Sequence, residues 1–466
     1  MRDTPERLDA AFSLRAHHLA WLGDYIPLIG EDAVRRMAAK ADAVASCKVS
    51  FINSTKHGGG VVEIMRSLTP LLCGLGIHAD WTAITGQPAF FDVTKNIHNL
   101  LQGKEGDLSP EQFDNYISTV DAQAGLVDEL KDIIFVHDPQ PLPLIRNKTL
   151  EQHWIWCCHL DLTNINRAVW NRLKPMVDQY DSVVFSMREY HQEVKPKVHF
   201  ITPAIDPFSV KNRTLDKALC RHILQCYQIP LDKPIVSQVS RFDPWKDQAG
   251  VIEAANIARR QVDFTLVLLG NMADDDPEGK DIFDSLQRYV DERTIISCDG
   301  NDQLLVNALQ SMSAVVVKKS TREGFGMTCT EAMWKGRPVI AGKVGGLVAQ
   351  ITDGENGYLV NSVQETADRL VTLIKDPCLQ DRMGINAKKT VRERFLLTTL
   401  LERYLDLFTE IMTSVRSVRP RDDTSRRALT AKRAAVVPRD AACIPPGRPA
   451  SDGWCHTGPG GHPRHS

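Results

Sequence analysis

The sequence predicts an α/β protein with two domains, each built around a parallel sheet. Short apolar segments alternate with segments of helical period over residues 47–202, and a second alternating set runs over 234–360. Strands that are apolar throughout are typical of parallel sheets, because helices cover both faces. The 466 residues, 43% hydrophobic and 24% charged, suffice for two domains. We therefore expect two Rossmann-like domains that face each other across a cleft.

The first set of elements begins after two helical patterns within residues 5–45. These patterns cover 6–23 and 30–45 and are separated by Tyr-Ile-Pro-Leu-Ile-Gly at 25–30. Strands are predicted at 47–53, 78–84, 132–137, 154–159, 181–186 and 197–202. Helices are predicted at 61–74, 91–102 and 111–130.

The second set begins at Pro234, after a stretch in which Pro203 and Pro207 mark a hinge. Strands are predicted at 234–240, 263–269, 293–297, 313–317, 337–341 and 357–360, and the last helices at 378–394 and 396–415. The domain bounds that follow are 1–206 for the N-terminal domain, 207–395 for the C-terminal domain, 396–418 for a terminal helix and 419–466 for a tail.

Composition narrows the class of protein. The net charge of −2 conceals a basic tail, since residues 419–466 hold nine Lys and Arg against four Asp and Glu. The remaining body is acidic, which argues against nucleic-acid binding. The tail is rich in Arg, Pro and Gly, a composition typical of disorder. The charged N-terminus and the lack of a long apolar run predict a cytoplasmic protein without a membrane span.

The cysteines favour free thiols. Eleven cysteines without regular spacing fit a reducing compartment better than a disulfide framework. Cys157 and Cys158 are adjacent in a predicted strand, so their side chains point to opposite faces and form a poor joint metal site.

Two carboxylates, Glu323 and Glu331, lie eight residues apart around a Gly-Phe-Gly turn that opens a helix. Eight residues span a little over two helical turns, so the carboxylates can reach different parts of one elongated ligand. Gly324 and Gly326 allow close approach of the backbone, and the N–H groups of Phe325, Gly326 and Met327 suit phosphate or hydroxyl oxygens. The pattern predicts a nucleotide-sugar site.

Two cations precede this motif. Arg241 and Lys246 follow the apolar run 234–240, so both lie at a strand end. Together they can neutralise a diphosphate as it leaves a sugar. Such a pair taken alone is more often a solvated loop, and the downstream carboxylates are what favour the functional interpretation.

Further segments of the sequence, together with these motifs, resemble those of a known protein family. They are NSTKHGGGVVEI (53–64), FFDVTKNIHNLLQG (90–103), HDPQP (137–141), WIWCCHLDL (154–162), QVSRFDPWKD (238–247), KSTREGFGMTCTEAMWKG (319–336) and GGLVAQITDGENGYLV (345–360). With them the chain resembles the trehalose-forming synthases among the retaining glycosyltransferases of family 4, which have the GT-B fold. The resemblance implies an acceptor-binding N-terminal domain, a nucleotide-sugar-binding C-terminal domain, and a helix over 396–418 that packs back on the N-terminal domain.

The resemblance also implies roles for individual residues. Catalysis is expected from Arg241, Lys246 and Glu323. Donor binding is expected from Gly324, Phe325, Gly326, Met327, Glu331 and His159, with Glu331 near the ribose and His159 near the hexose 6-hydroxyl. Acceptor binding is expected from Asn53, Gly58, Gly59, Gly60, Asp138, Gln140 and Asp161.

Some of these residues have competing structural explanations. Gly58–Gly60 follow a strand and precede a helix, where α/β folds place ligands, but a plain tight turn is an alternative. Asp161 can equally cap the helix that follows it. Asp274–Asp276 contain a DxD string that could hold Mg²⁺, but acidic triples are commonly solvated, and Arg241 and Lys246 already supply positive charge.

The expected function is therefore retaining glucosyl transfer that forms or cleaves trehalose, with NDP-glucose (ADP- or UDP-glucose) and glucose as substrates. The resemblance implies that no bound metal is essential, leaves Mg²⁺ as a companion of the free nucleotide, and leaves a homodimer open. A retaining trehalose phosphorylase, in which inorganic phosphate replaces NDP, is the nearest alternative. A nucleotide-sugar epimerase and a non-catalytic sugar-binding protein are more distant ones.

Overall fold

A computed structural model of the chain describes residues 21–271 and 278–418. Most of the predicted helix 6–23, the triple Asp274–Asp276 and the tail 419–466 therefore lie outside the described residues. The strands of the first sheet are β1 Lys48–Asn53, β2 His78–Ala83, β3 Ile133–His137, β4 His153–Cys158, β5 Ser182–Phe185 and β6 Lys197–Phe200. Those of the second are β7 Ile235–Val239, β8 Thr265–Leu269, β9 Thr294–Ser297, β10 Ser313–Lys318, β11 Val339–Gly342 and β12 Tyr358–Val360.

Helices alternate with these strands. Before β6 they are α1 Ile26–Ile29, α2 Glu31–Ala43, α3 Gly60–Gly74, α4 Pro88–Leu101, α5 Pro110–Asp121 and α6 Arg167–Val177. After it they are α7 Lys217–Cys226, α8 Gln248–Ala258, α9 Glu278–Leu286, α10 Gln303–Met312, α11 Met327–Trp334, α12 Gly345–Gln350, α13 Val363–Lys375, α14 Pro377–Arg394 and α15 Leu397–Val418. None of the helices within 21–271 and 278–418 combines the length and apolar character that a membrane crossing requires.

The order of the strands reverses at one point in each sheet. The first sheet has the order β2-β1-β3-β4-β5-β6 and the second β12-β11-β10-β7-β8-β9, and all pairings are parallel. The chain reverses direction across the first sheet between β1 and β3, and across the second between β7 and β10. Ligands of open α/β sheets bind at such reversals, beyond the carboxyl ends of the strands. The two expected Rossmann-like domains are confirmed.

Each sheet is buried on both faces. In β4, Trp154 and Trp156 pack into one apolar cluster while Ile155 and Cys157 pack into the cluster on the opposite face. Cys158 belongs with the tryptophans, so the two adjacent cysteines point to opposite faces, as the strand pattern predicted. Strands covered in this way are rigid, and they fix the positions of the loops at their carboxyl ends.

The chain passes between the two halves at two neighbouring points. The N–H of Ile205 donates to the carbonyl of Phe395 at 2.9 Å, and the N–H of Leu397 donates to the carbonyl of Ile205 at 2.8 Å. Beyond this point Tyr404 of α15 stacks on Phe135 of β3, with ring centroids 5.0 Å apart. The domain bounds given by the sequence stay a prediction, and this pairing is consistent with bounds near 206 and 395.

Candidate active site

A cleft between the two sheets contains a cavity of about 670 Å³. Its lining includes almost every residue that the sequence predicts for the site. From the first half these are Asn53, Gly58, Gly59, Gly60, Asp138, Gln140 and His159. From the second half they are Arg241, Lys246, Glu323, Gly324, Phe325, Gly326, Met327 and Glu331. Asp161 is absent from the described residues that line the cavity, and its carboxylate accepts the N–H of Thr163 at 3.0 Å.

The cationic pair is held by a tightly folded loop after β7. Residues Pro244–Lys246 form one 3-10 turn, and the Asp243 carboxylate accepts the N–H of Trp245 at 2.8 Å. Asp247 follows in the left-handed conformation, with a φ of 48°, and caps α8 by accepting the N–H of Gly250. These contacts set the loop at the strand reversal, where Arg241 and Lys246 line the cavity.

Glu323 lies between two lysines. Its Oε2 is 2.9 Å from Nζ of Lys246 and 3.1 Å from Nζ of Lys318, and it accepts the Ser320 hydroxyl at 3.1 Å. Burial by itself would raise the pKa of Glu323, but the ammoniums of Lys246 and Lys318 lower it to about 2. The carboxylate is therefore ionised at neutral pH.

The Gly-Phe-Gly turn brings the two halves together. Gly326 has a φ of 86° and precedes Met327, the first residue of α11. A Cβ on Gly324 would collide with the backbone carbonyl of His159 in the first half. The hydroxyl of Tyr190 donates to the carbonyl of Gly324 at 2.8 Å. Glycine is thus required where the turn meets the opposite domain.

Glu331 lies inside α11 and is fully buried. Its Oε1 is 3.1 Å from Nζ of Lys211, whereas the partners of Glu323 are Lys246 and Lys318. The two carboxylates of the motif thus line the same cavity but pair with different lysines. That they bind different parts of one ligand stays a prediction.

The glycine loop of the first half lies at the start of α3. Gly58 and Gly59 have φ values of 67° and 84°, and Gly60 begins the helix. A Cβ on Gly60 would lie 2.7 Å from Sδ of Met327, so this loop touches the Gly-Phe-Gly turn. Asn53, at the end of β1, accepts the indole N–H of Trp81 at 2.9 Å.

Two histidines and an aspartate lie at the ends of β3 and β4. Asp138 has a φ of 64°, which turns its carboxylate back to accept the N–H of His159 at 2.9 Å. Nδ1 of His137 and Nε2 of His159 are 3.0 Å apart and share a hydrogen bond. Burial lowers the pKa of His137 well below its usual value, so its ring is neutral. This hydrogen bond fixes the orientation of His159 in the cavity.

Several cavity residues were not predicted from the sequence. Among them are Glu63, Lys95, His98, Gln102, Lys211 and Lys318. Lys318 ends β10 and could have been found by the same strand-end argument as Arg241. Lys95 and His98 are polar residues at helical spacing in α4, which is a weaker indication of a binding site. No sequence pattern around Lys211 indicates a functional role. Burial, followed by the charge of Lys95, lowers the pKa of His98 to about 3.

Comparisons with known proteins agree with this architecture. Residues 51–192 match the family model described as trehalose synthase, N-terminal domain, and residues 222–390 match glycosyl transferases group 1. A trehalose synthase of Pyrococcus horikoshii is 40% identical over 399 residues, which cover 84% of this chain and 96% of that protein. The chain belongs to the trehalose synthase family. It is a hexosyltransferase that acts in trehalose-related glycosyl transfer.

More distant relatives and solved structures extend the comparison. A trehalose phosphorylase of Grifola frondosa is 27% identical over 81% of this chain but only 59% of its own length. Sucrose-phosphate synthase from Thermosynechococcus elongatus has a TM-score of 0.61 at 19% identity, covering 79% of this chain and all of that one. The Anabaena protein HepE, solved with UDP and glucose, has a TM-score of 0.58 at 17% identity, and the match covers 78% of this chain and 99% of HepE. These structural likenesses confirm the GT-B fold of this trehalose synthase family member.

Proposed function

We propose that the chain is a retaining glucosyltransferase that forms trehalose, reversibly, from NDP-glucose and glucose. The observation that carries the proposal is the ion-pair cluster of Lys246, Lys318 and Glu323, which lines one cavity together with sugar-binding candidates from the opposite domain. Cations at this point suit a diphosphate, and the carboxylate suits the hydroxyls of the sugar attached to it. HepE, with the same fold, was solved with UDP and glucose and also with UDP-glucose, which supports a nucleotide-sugar donor.

The proposed mechanism divides the work between the domains. Arg241 and Lys246 stabilise the negative charge that develops on the departing diphosphate. The first domain holds the acceptor glucose so that its anomeric hydroxyl attacks from the face that the diphosphate leaves, which retains the anomeric configuration. In this front-face displacement a phosphate oxygen of the leaving group takes the proton of the acceptor hydroxyl, so no protein base is needed. No metal is required for this division of roles.

Glu323 serves the donor sugar in this scheme. Since its pKa is held near 2, it is an anion and not a proton donor at neutral pH. It therefore fits a role as an acceptor for sugar hydroxyls and as a partner that holds Lys246 in place at 2.9 Å. In the same scheme, following the family resemblance, His159 serves the 6-hydroxyl of the donor glucose and Glu331 the ribose.

The second candidate function is trehalose phosphorolysis, because inorganic phosphate would fit the same cationic pocket. The share of each relative that is covered favours the synthase, since this chain spans 96% of the trehalose synthase from Pyrococcus horikoshii and 59% of the phosphorylase from Grifola frondosa. The hexosyltransferase assignment disfavours an epimerase and a non-catalytic binding protein.

The deciding experiment supplies trehalose with ADP, UDP or inorganic phosphate and identifies the sugar product by NMR. We expect NDP-glucose and glucose with a nucleoside diphosphate, and no reaction with phosphate alone. In the forward direction ADP-glucose or UDP-glucose with ¹³C-glucose should give α,α-linked trehalose. Glucose 1-phosphate formed without nucleotide would replace the synthase proposal by the phosphorylase.

A further inference from the structure

A largely buried lysine joins carboxylates from opposite sides of the cleft. Nζ of Lys211, in the segment between β6 and α7, lies 2.6 Å from Oε1 of Glu63 and 3.1 Å from Oε1 of Glu331. Glu63 belongs to α3 of the first domain and Glu331 to α11 of the second. The exposed fractions of the Lys211 and Glu331 side chains are 12% and 0%. All three residues line the cavity.

Glu331 retains unused acceptor capacity at this point. Both of its carboxylate oxygens are buried, and neither accepts a hydrogen bond of good geometry from any described residue. A buried ionised carboxylate without such bonds is costly, and a ligand with two adjacent hydroxyl donors would remove that cost. The ribose of a nucleoside diphosphate sugar has such a vicinal diol.

Lys211 makes the two carboxylates compatible. Burial and the charge of Glu331 raise the pKa of Glu63 on balance, and the ammonium of Lys211 opposes them. Lys335 also lowers the pKa of Glu331. Without the Lys211 ammonium, the repulsion between the two carboxylates would be opposed less, and uptake of a proton by the pair would be more favourable. A protonated or displaced Glu331 is a poorer acceptor for a diol.

The bridge also reaches the glycine loop. Glu63 is three residues after Gly60, in the first turn of α3, and Gly60 itself lies against Met327 at the start of α11. The Glu63–Lys211–Glu331 bridge and the Gly60–Met327 contact therefore tie the same two helices together. Displacement of either carboxylate would therefore also shift the loop formed by Gly58–Gly60.

We propose that Lys211 is a positioning residue for the nucleoside half of the donor, which holds Glu331 as the acceptor of the ribose diol and ties that carboxylate to the glycine loop through Glu63. This inference rests on the proposed function, because it requires a nucleotide donor. Lys211 is assigned no contact with the reacting atoms. Lys211 acts by orienting Glu331 and by keeping its carboxylate ionised.

The test compares binding of a ribonucleoside diphosphate with binding of its 2′-deoxy analogue, by calorimetry, in the wild type and in Lys211→Met. UDP or ADP is used, whichever the wild type binds. Loss of a charge-assisted contact should weaken binding of the ribonucleotide about 10- to 100-fold. The deoxy analogue should be weakened less, so that the preference for ribose falls towards one. A merely structural lysine would change both affinities equally.

Control variants separate positioning from general loss of an ion pair. Lys148→Met removes a partly buried lysine that lies 2.5 Å from Oδ1 of Asp181 and does not line the cavity. It should retain the affinity and the ribose preference. Lys211→Arg, which keeps the charge, should recover part of the preference. Glu63→Gln keeps the shape but removes the charge that holds Nζ of Lys211 at 2.6 Å, so Lys211 is no longer fixed beside Glu331 and the ribose preference should fall. This variant remains informative where Lys211→Met does not fold.

The outcomes are distinct. If the wild type binds a nucleoside diphosphate and both Lys211→Met and Glu63→Gln keep its affinity and its ribose preference, this inference alone is overturned. If the wild type binds neither UDP nor ADP, the nucleotide donor of the proposed function fails and this inference fails with it. A reduced ribose preference confined to the bridge variants supports the assignment.

Discussion

Lys246 donates to Oε2 of Glu323 at 2.9 Å, so a cation expected to bind phosphate and an anion expected to bind sugar are direct partners. Lys318 shares the same oxygen, at 3.1 Å. The cluster carries a net positive charge before any ligand enters, because two ammoniums surround one carboxylate. A diphosphate would compensate that excess positive charge. The negative charge of Glu323 offsets the repulsion between the two lysines.

The first prediction concerns the stability contributed by Glu323. Its pKa is lowered from 4.5 to about 2, because the attraction of Lys246 and Lys318 exceeds the effect of burial. The stabilisation is thus fully present above a pH of about 4.5 and is lost as the pH falls through about 2. It amounts to about 3 kcal/mol. The difference in unfolding free energy between wild type and Glu323→Gln should be about 2 kcal/mol smaller at pH 3 than at pH 6.

Urea unfolding at both pH values measures this difference. Glu151→Gln is a suitable control, since Glu151 is exposed in the turn before β4 and lies outside the cavity lining. A difference that stays constant between pH 6 and pH 3 would show that Glu323 is not held ionised by the two lysines.

The second prediction concerns Arg241. Arg241→Ala should lower kcat by about 10²- to 10³-fold, because it removes one of two cations that stabilise the leaving diphosphate. Its side chain is 32% exposed, so the fold should remain intact and the melting temperature should change little. Steady-state kinetics with NDP-glucose and glucose, combined with thermal unfolding, check both parts. Normal turnover in this variant would contradict the role given to Arg241.

Much of the fold was predictable because apolar strands and helical periods are local signals. The boundaries of the helices and strands were less predictable. The helix predicted over 111–130 ends at Asp121, and a separate 3-10 turn covers Ala124–Leu126. The break predicted at 25–30 contains the short helix Ile26–Ile29, which ends before Gly30. Capping and local turns decide such ends, and hydrophobic periodicity does not report them.

The candidate site was predictable where its residues follow strands at the reversals of the two sheets. Arg241 and Glu323 are of this kind. Lys211 was not, because it lies in the hinge segment and its importance depends on two carboxylates that are 148 and 120 residues away. Contacts between residues so distant in the sequence depend on how the two halves pack, and no local sequence pattern encodes that packing.

The third prediction concerns an ion pair across the cleft. Nζ of Lys95, on α4, lies 3.4 Å from Oδ2 of Asp243, and their side chains are 10% and 3% exposed. Lys95→Met should lower kcat/KM about 10- to 100-fold, because Asp243 positions the loop that carries Arg241 and Lys246. The double variant Lys95→Met/Asp243→Asn should lose less than the sum of the single variants, since they share one interaction.

Lys174→Met provides the control for this pair. Lys174 lies 2.7 Å from Asp178 at the end of α6, and neither residue lines the cavity. Its kcat/KM should equal that of the wild type. Strictly additive losses in the Lys95 and Asp243 variants would refute coupling across the cleft.

The fourth prediction concerns the contact between the Gly-Phe-Gly turn and the first domain. A Cβ on Gly324 would collide with the carbonyl oxygen of His159 and lie 3.3 Å from its carbonyl carbon. The obstacle is backbone and cannot move aside as a flexible side chain could. In Gly324→Ala the turn must therefore shift, and Glu323 shifts with it. We expect a destabilisation of about 1–3 kcal/mol and a fall in kcat/KM of at least about tenfold.

Gly125→Ala is the matched control, because Gly125 is exposed and a Cβ there meets nothing within 4 Å. It should keep the activity and melting temperature of the wild type. Binding of a nucleoside diphosphate to Gly324→Ala then locates the defect. If the shifted turn misplaces Glu323 against the donor sugar, kcat should fall more than nucleotide affinity. Wild-type kinetics in Gly324→Ala would mean that the two domains do not meet at His159 during turnover.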